Sequence, residues 1–159
     1  MKGLHTTHHP EEVGRRLALL RRLRSPSRVV AAIRENAIVD HTEASIALDA
    51  LSVRGLSAWI PNCEERWPIL IRRGGLTTRP WVAVVGARAI DPYGIVVTKR
   101  AAADVMQIGG TVMSGGAVGA DSLAHQVALD RKIPTFAVMA GGHDHLYPRE
   151  NLALFREIV

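Results

Sequence analysis

The 159-residue chain has one cysteine, Cys63. An internal disulfide is therefore excluded, and this usage fits a reducing compartment. Aromatic residues are scarce, at 4%. With 47% apolar residues the chain can still bury a core, but that core must be aliphatic. No apolar run reaches the roughly 18 residues that a membrane-spanning helix needs. The opening stretch, MKGLHTTHHPEE, lacks the apolar centre of a secretion signal. These absences predict a soluble, cytoplasmic protein with no membrane partner. Two glycine signatures are also missing: G-x-G-x-x-G after the first strong strand, and G-x-x-x-x-G-K-[ST]. An ordinary dinucleotide enzyme and a P-loop phosphotransferase are disfavoured on that ground.

What is present is basic and unevenly so. The net charge is +5. Residues 1–80 carry 13 Lys and Arg against 8 Asp and Glu, while residues 81–159 carry seven of each. Such a surplus suits an anionic partner without demanding one. The length fits one domain, or one with a small helical appendage.

Residues 1–10 read as a disordered polar tail. His5, His8 and His9 lie there, and a mobile tail explains them more simply than a metal site does. From Glu11 the spacing of Val13, Leu17 and Leu20 predicts a helix flanked by Arg15, Arg16, Arg21 and Arg22. Ser25-Pro26 predicts a second helix start, capped by Ser25 with Pro26 in its first turn. A third helix is expected from Thr42. Residues 11–54 thus form a predicted helical N-terminal module. Its arginines fit either a binding face or an ordinary solvated face whose long stems cover apolar surface.

After Gly55 the texture becomes α/β, predicting a second domain over 55–159. The runs LSAWI and PILIRR suit strands, and WVAVVGA (81–87) predicts a strongly buried one. Residues 94–108 predict a helix with Val97, Ala101, Val105 and Ile108 on its inner face, stopped by Gly109-Gly110. TVMSG is the next strand. Residues 120–130 predict a short helix with Ala120, Leu123, Ala124, Val127 and Ala128 facing inward. TFAVMAG is the third strand, and PRENLALFREIV closes the chain as a helix. Strands alternating with helices at this spacing predict a parallel sheet with flanking helices.

All three strong strands run into glycine: Gly86, Gly115-Gly116 with Gly119, and Gly141-Gly142. In an open parallel sheet the ligand crevice lies beyond the carboxyl ends of the strands. Glycines there let backbone N–H groups and helix starts approach an anion. One such loop is explained by a tight turn alone; three on one edge favour a phosphate-bearing ligand. Arg88 follows the first of these strands and Arg149 follows the third, while Arg72 and Arg73 end PILIRR. A guanidinium grips phosphate in a planar, two-pronged way. Asp121 and His125 stand four apart, so they share a helix face. Either they act as an acid–base pair, or the aspartate caps the helix with the histidine as its partner. His143 and His145 lack a third ligand nearby in sequence, so no metal site is expected there.

The blocks VAVVGARAIDPYG, GGTVMSGGAVGADSLAHQVALD and TFAVMAGGHDHLYPRENLALFREI resemble, in order, motifs of the DNA-processing protein A (DprA/Smf) family. RWPILIRRGGL is similar to the segment that precedes that family's core sheet. The resemblance spans about residues 57–159. It implies a Rossmann-like fold that binds single-stranded DNA and helps load the recombinase RecA in natural transformation, without catalysis and without a cofactor. By position, Arg73 matches the arginine of the family's R-G turn. Arg88 matches the arginine of its G-S-R motif, with Ala87 in place of the serine. Ser114, Gly115, Gly119, Asp121 and His125 match a second block. Tyr147, Pro148 and Asn151 match Y-P-x-x-N, with Arg149 at an often basic position. Arg73, Arg88, Ser114, Gly115, Gly116, Gly119 and Arg149 are thereby expected at phosphate. Gly86, Asp121, His125, Tyr147 and Asn151 are expected to shape the pocket. Gly116, Val118 and Ala120 depart from the family's usual leucine, basic residue and isoleucine. The family's sheet normally continues past the point matching Val159 and carries the usual homodimer contacts there, so the chain reads as a C-terminally shortened member.

Two other functions compete with DNA binding. One is a small-nucleotide sensor or hydrolase of a related Rossmann-like family, with Asp121 and His125 as its chemistry. The P-G-G-x-G-T-x-x-E signature of phosphoribohydrolases is absent from the chain. The other is a protein-docking module that uses the arginine-rich helices.

Overall fold

A computed structural model describes residues 10–35, 39, 41–59, 70–75, 77–139 and 142–159. Of the expected tail at 1–10, residues 1–9 with the three histidines lie outside the described residues, as do Cys63, Trp67 and Gly141, while Pro10 already opens a helix. The chain divides into two compact units, Met1–Gly75 and Leu76–Val159.

The first unit opens with three helices: α1 (Pro10–Leu23), α2 (Pro26–Arg34) and α3 (His41–Ser52). Helix α1 places Glu11 and Glu12 in its first turn and Arg21 and Arg22 in its last, which complements the helix dipole at both ends. Ser25 stands at the N-cap of α2 with extended backbone, and Pro26 follows at the first helical position. Helix α1 packs on α3. Val13, Leu17, Ala18 and Ala47 form the core between them, with Leu20, Val39 and Ala58 against it. Arg16 is only 7% exposed, and its Nε donates to Glu12 Oε1 at 2.7 Å. This arginine is therefore buried, with its charge paired on the same helix.

Strands β1 (Leu56–Trp59) and β2 (Leu70–Arg73) pair antiparallel, from Leu56 opposite Arg73 to Trp59 opposite Leu70. This hairpin groups with the helices, not with the parallel sheet. Buried Leu56 and the contact of Ala58 with the helical core account for that. Nothing in the apolar runs LSAWI and PILIRR distinguishes the two sheets.

The second unit is α/β: a three-stranded parallel sheet with flanking helices. Its order along the chain is β3 (Trp81–Ala83), α4 (Pro92–Asp104), β4 (Thr111–Ser114), α5 (Ala120–Asp130), β5 (Thr135–Ala137), a 3-10 turn (Arg149–Asn151) and α6 (Leu152–Ile158). The sheet order is β3-β4-β5. Trp81 pairs with Thr111, Ala83 with Met113, and Met113 with Phe136. The outer strands also meet through an edge-on contact of the Trp81 and Phe136 rings, 4.8 Å between centroids.

Helices α4 and α5 pack on each other and cover the face that carries Val82, Val84 and Val112. The core there is aliphatic, as the composition requires: Val84, Ala102, Val105, Val112, Ala124, Val127, Ala128 and Ile133. Burying Val112, which is 0% exposed, stabilises the fold by about 1.5–3 kcal/mol. The expected inner face of α5 is observed: Ala120, Ala124, Val127 and Ala128 are buried, and Leu123 packs against the core.

The expected face of α4 is corrected except at Val105, which is buried as expected; Ala101 is exposed. Thr98, Ala102 and Val105 point inward at 8%, 0% and 3% exposure, while Val97 and Ile108 are 45% and 61% exposed. The helix starts at Pro92, where Asp91 accepts the Gly94 N–H at 2.7 Å, and it ends at Asp104. That start sets the phase. Apolar residues in consecutive triplets, 95–97 and 101–103, leave the phase open in sequence.

Candidate functional site

The carboxyl ends of the three parallel strands feed loops at 84–91, at 115–119 and, among the described residues, at 138–139 and 142–148. The first two loops are locked together by backbone. Ala120 donates its N–H to the Ala87 carbonyl at 3.1 Å. Gly119 sits at φ +88°, and a Cβ there would collide with the carbonyl oxygens of Ala87 and Arg88. Only glycine allows this approach. Gly86 lies on the other side of the same contact, where a Cβ would stand 2.8 Å from that of Ala120.

The loop after β4 is tied equally to the end of the chain. Gly116, at φ +76°, lies against the Phe155 ring, and a Cβ would come within 2.5 Å of it. The Asn151 side-chain amide donates to the Gly116 carbonyl at 2.9 Å. Residue 151 ends the 3-10 turn that Arg149 begins. Arg88 and Arg149 therefore flank the same loop, one through Gly119 and the other through Gly116, and both are exposed. Tyr147, two residues before Arg149, is 69% exposed.

Inside this rim the polar groups are satisfied by the fold. Ser114 is 2% exposed, and its hydroxyl donates to the Val84 carbonyl at 2.7 Å, joining β4 to the end of β3. Asp121 is 8% exposed. Its Oδ1 accepts the Gly86 N–H and its Oδ2 the Ala117 N–H, each at 3.4 Å.

His125 is 0% exposed. Its Nδ1 lies 2.7 Å from the Thr135 hydroxyl, which itself donates to the Val112 carbonyl at 3.0 Å. That hydroxyl has one proton, already committed, so it accepts from His125 and places the imidazole proton on Nδ1. Nε2 is left as a buried lone pair with no partner among the described residues. Burial pulls the pKa of His125 down to about 4, and the nearby Asp121 charge opposes this only in part. The histidine is thus neutral and bonded to β5, rather than a charged partner of Asp121.

The candidates from Gly86 to Asn151 all belong to the second unit, whereas Arg73 ends β2 in the first, exposed. Sequence reasoning misses Thr135 and Phe155. Thr135 reads as the first residue of a strand and Phe155 as one residue of the closing helix; their links to His125 and Gly116 exist only in three dimensions. Among the described residues no three metal-ligating side chains stand together, and no helix is long and apolar enough to cross a membrane.

A family model described as DNA recombination-mediator protein A matches residues 57–159. The chain belongs to that family. It is 30% identical over 130 residues to the DNA processing protein DprA of Bacillus subtilis (strain 168), covering 80% of this chain and 41% of that protein. It is 34% identical over 97 residues to Protein Smf of a Synechocystis strain, covering 57% of this chain and 24% of that one. The X-ray structure of DNA processing protein A from Streptococcus pneumoniae has a similar fold. The TM-score is 0.58 at 20% identity, over 96% of this chain and 60% of that chain. The chain therefore spans about two fifths of the length of the Bacillus subtilis relative. The loops after β3, β4 and β5 all lie inside the matched region.

Proposed function

We propose that this chain takes part in DNA processing and recombination by binding single-stranded DNA at the rim of the loops after β3 and β4. The observation that carries this reading is the pair of exposed arginines, Arg88 and Arg149, held on either side of one glycine loop. Membership of the DprA/Smf family supports DNA as the ligand. The guanidinium groups contact backbone phosphates, which gives affinity without base sequence. Exposed Tyr147 offers a face on which one base stacks. Arg73, exposed at the end of β2, is proposed as a phosphate contact of the first unit by itself. Gly115, Gly116 and Gly119 hold the loop in the shape that carries this rim, while Gly86, Ser114, Asp121, His125 and Asn151 shape it from beneath.

The role is binding, not catalysis, and needs no cofactor. The buried imidazole of His125 and the committed hydroxyl of Ser114 leave no obvious nucleophile or base facing solvent in this loop. That argues against the nucleotide-hydrolase alternative. Loading of RecA, homodimerisation and action in the cytoplasm during natural transformation complete the proposal by analogy with the family. Anisotropy of a labelled oligo-dT tests the binding step. Salt-sensitive binding that prefers the single strand over duplex supports it, and nucleoside release from a mononucleotide would replace it with the hydrolase reading.

A further inference from the structure

The start of α5 has the features that attract anions: glycines before it, backbone amides, and the positive end of a helix dipole. Here those amides already hold a charge. Asp121, the second residue of α5, takes the Gly86 N–H on one oxygen and the Ala117 N–H on the other. The two donors come from different loops, one after β3 and one after β4. The carboxylate also fills the adjoining space, since a Cβ on Gly115 would stand 2.9 Å from Oδ2. No Lys or Arg among the described residues pairs with Asp121. His125, one turn along, directs its Nδ1 proton to Thr135 instead. A second anion placed against these amides would meet a nearly buried like charge, and it would have to displace the carboxylate to bind.

We propose that Asp121 is a built-in occupant of this anion cradle, which keeps phosphate groups out of the amides between the loops and confines phosphate binding to the exposed rim. This rests on the reading of the rim as a single-strand site, and it says where on that site phosphate is held. Asp121 is thus a positioning residue that touches no DNA. Its carboxylate organises the loops from within, and Arg88 and Arg149 meet the ligand from outside.

Amide NMR of the 15N-labelled full chain tests this with inorganic phosphate as the probe, against chloride at matched ionic strength. In the wild type the Gly86, Gly115 and Ala117 amides are expected to stay in place as phosphate is added. In Asp121→Ser, which empties the cradle, the same amides shift saturably and phosphate affinity rises at least about tenfold. Saturable phosphate shifts at those amides in the wild type overturn the proposal. So does a folded Asp121→Ser chain that gains no phosphate binding. If Asp121→Ser does not fold, the wild-type titration and the near-isosteric Asp121→Asn decide it, the latter expected to gain phosphate binding more weakly. A parallel titration with oligo-dT separates the two readings. Failure of the oligonucleotide to bind removes the single-strand site, while the phosphate experiment still decides the role of Asp121.

Discussion

The side-chain amide of Asn151 donates a hydrogen bond to the backbone carbonyl of Gly116, 35 residues earlier, at 2.9 Å. This bond fixes the turn bearing Arg149 against the loop that begins α5. Asn151→Ala is expected to cost about 1 kcal/mol of stability, as for a hydrogen bond whose acceptor is left with a poorer partner. It should also weaken oligo-dT binding, because Arg149 loses its anchor. Chemical denaturation and anisotropy on the same sample check both effects. Unchanged affinity in a correctly folded variant would mean that the position of Arg149 does not matter.

Gly119 tests the packing of the two loops. Alanine there must adopt a positive φ and place its Cβ against the carbonyls of Ala87 and Arg88. The backbone conformation alone costs about 1–3 kcal/mol, and the collision adds to it. Gly119→Ala should therefore be among the most destabilising single changes in the second unit, read as a fall in the unfolding midpoint. Gly142→Ala is a fair control, since a Cβ there meets nothing within 4 Å.

His125 makes stability depend on pH. Its pKa is about 4 in the folded chain and near its ordinary value of 6.5 when unfolded. Between those values the unfolded chain binds a proton that the folded chain refuses. Stability is therefore full above about pH 6.5, falls as the pH drops towards 4, and loses nothing more from this group below that. At about 1.4 kcal/mol per pKa unit the full effect is roughly 3 kcal/mol. Denaturation midpoints measured from pH 7.5 to 4.5 should fall in the wild type. In His125→Gln, less stable at neutral pH, they should fall less. An equal slope in both proteins would assign the pH dependence to other groups.

Much of the second unit is legible in the sequence. The spacing of Ala120, Ala124 and Ala128 reveals the buried stripe of α5, because polar residues break the pattern between them. The glycines announce the loops and the arginines beside them. The phase of α4 is not legible, since its apolar residues stand in consecutive triplets, 95–97 and 101–103, that spread around the helix, and the cap at Asp91 sets the register. The grouping of the β1–β2 hairpin with the helices is equally hidden, because it depends on where Leu56 and Ala58 are buried. The site shows the same limit. Asp121 and His125 are visible as a pair four residues apart, yet their hydrogen bonds lead to different strands and loops. Such partners lie many residues away and leave no local trace.

Whether the two rim arginines hold single-stranded DNA is decided by the affinity of a labelled oligo-dT for the full chain and for the Arg88→Ala/Arg149→Ala variant, each at two salt concentrations. Wild-type binding is expected to be salt-sensitive, and an unlabelled duplex should compete for it poorly. In the variant, affinity should fall for every single-stranded sequence alike. The dependence of log K on log salt should become shallower by roughly 0.7 for each phosphate that the variant no longer neutralises. Wild-type affinity and salt slope retained in a folded double variant would contradict binding at this rim.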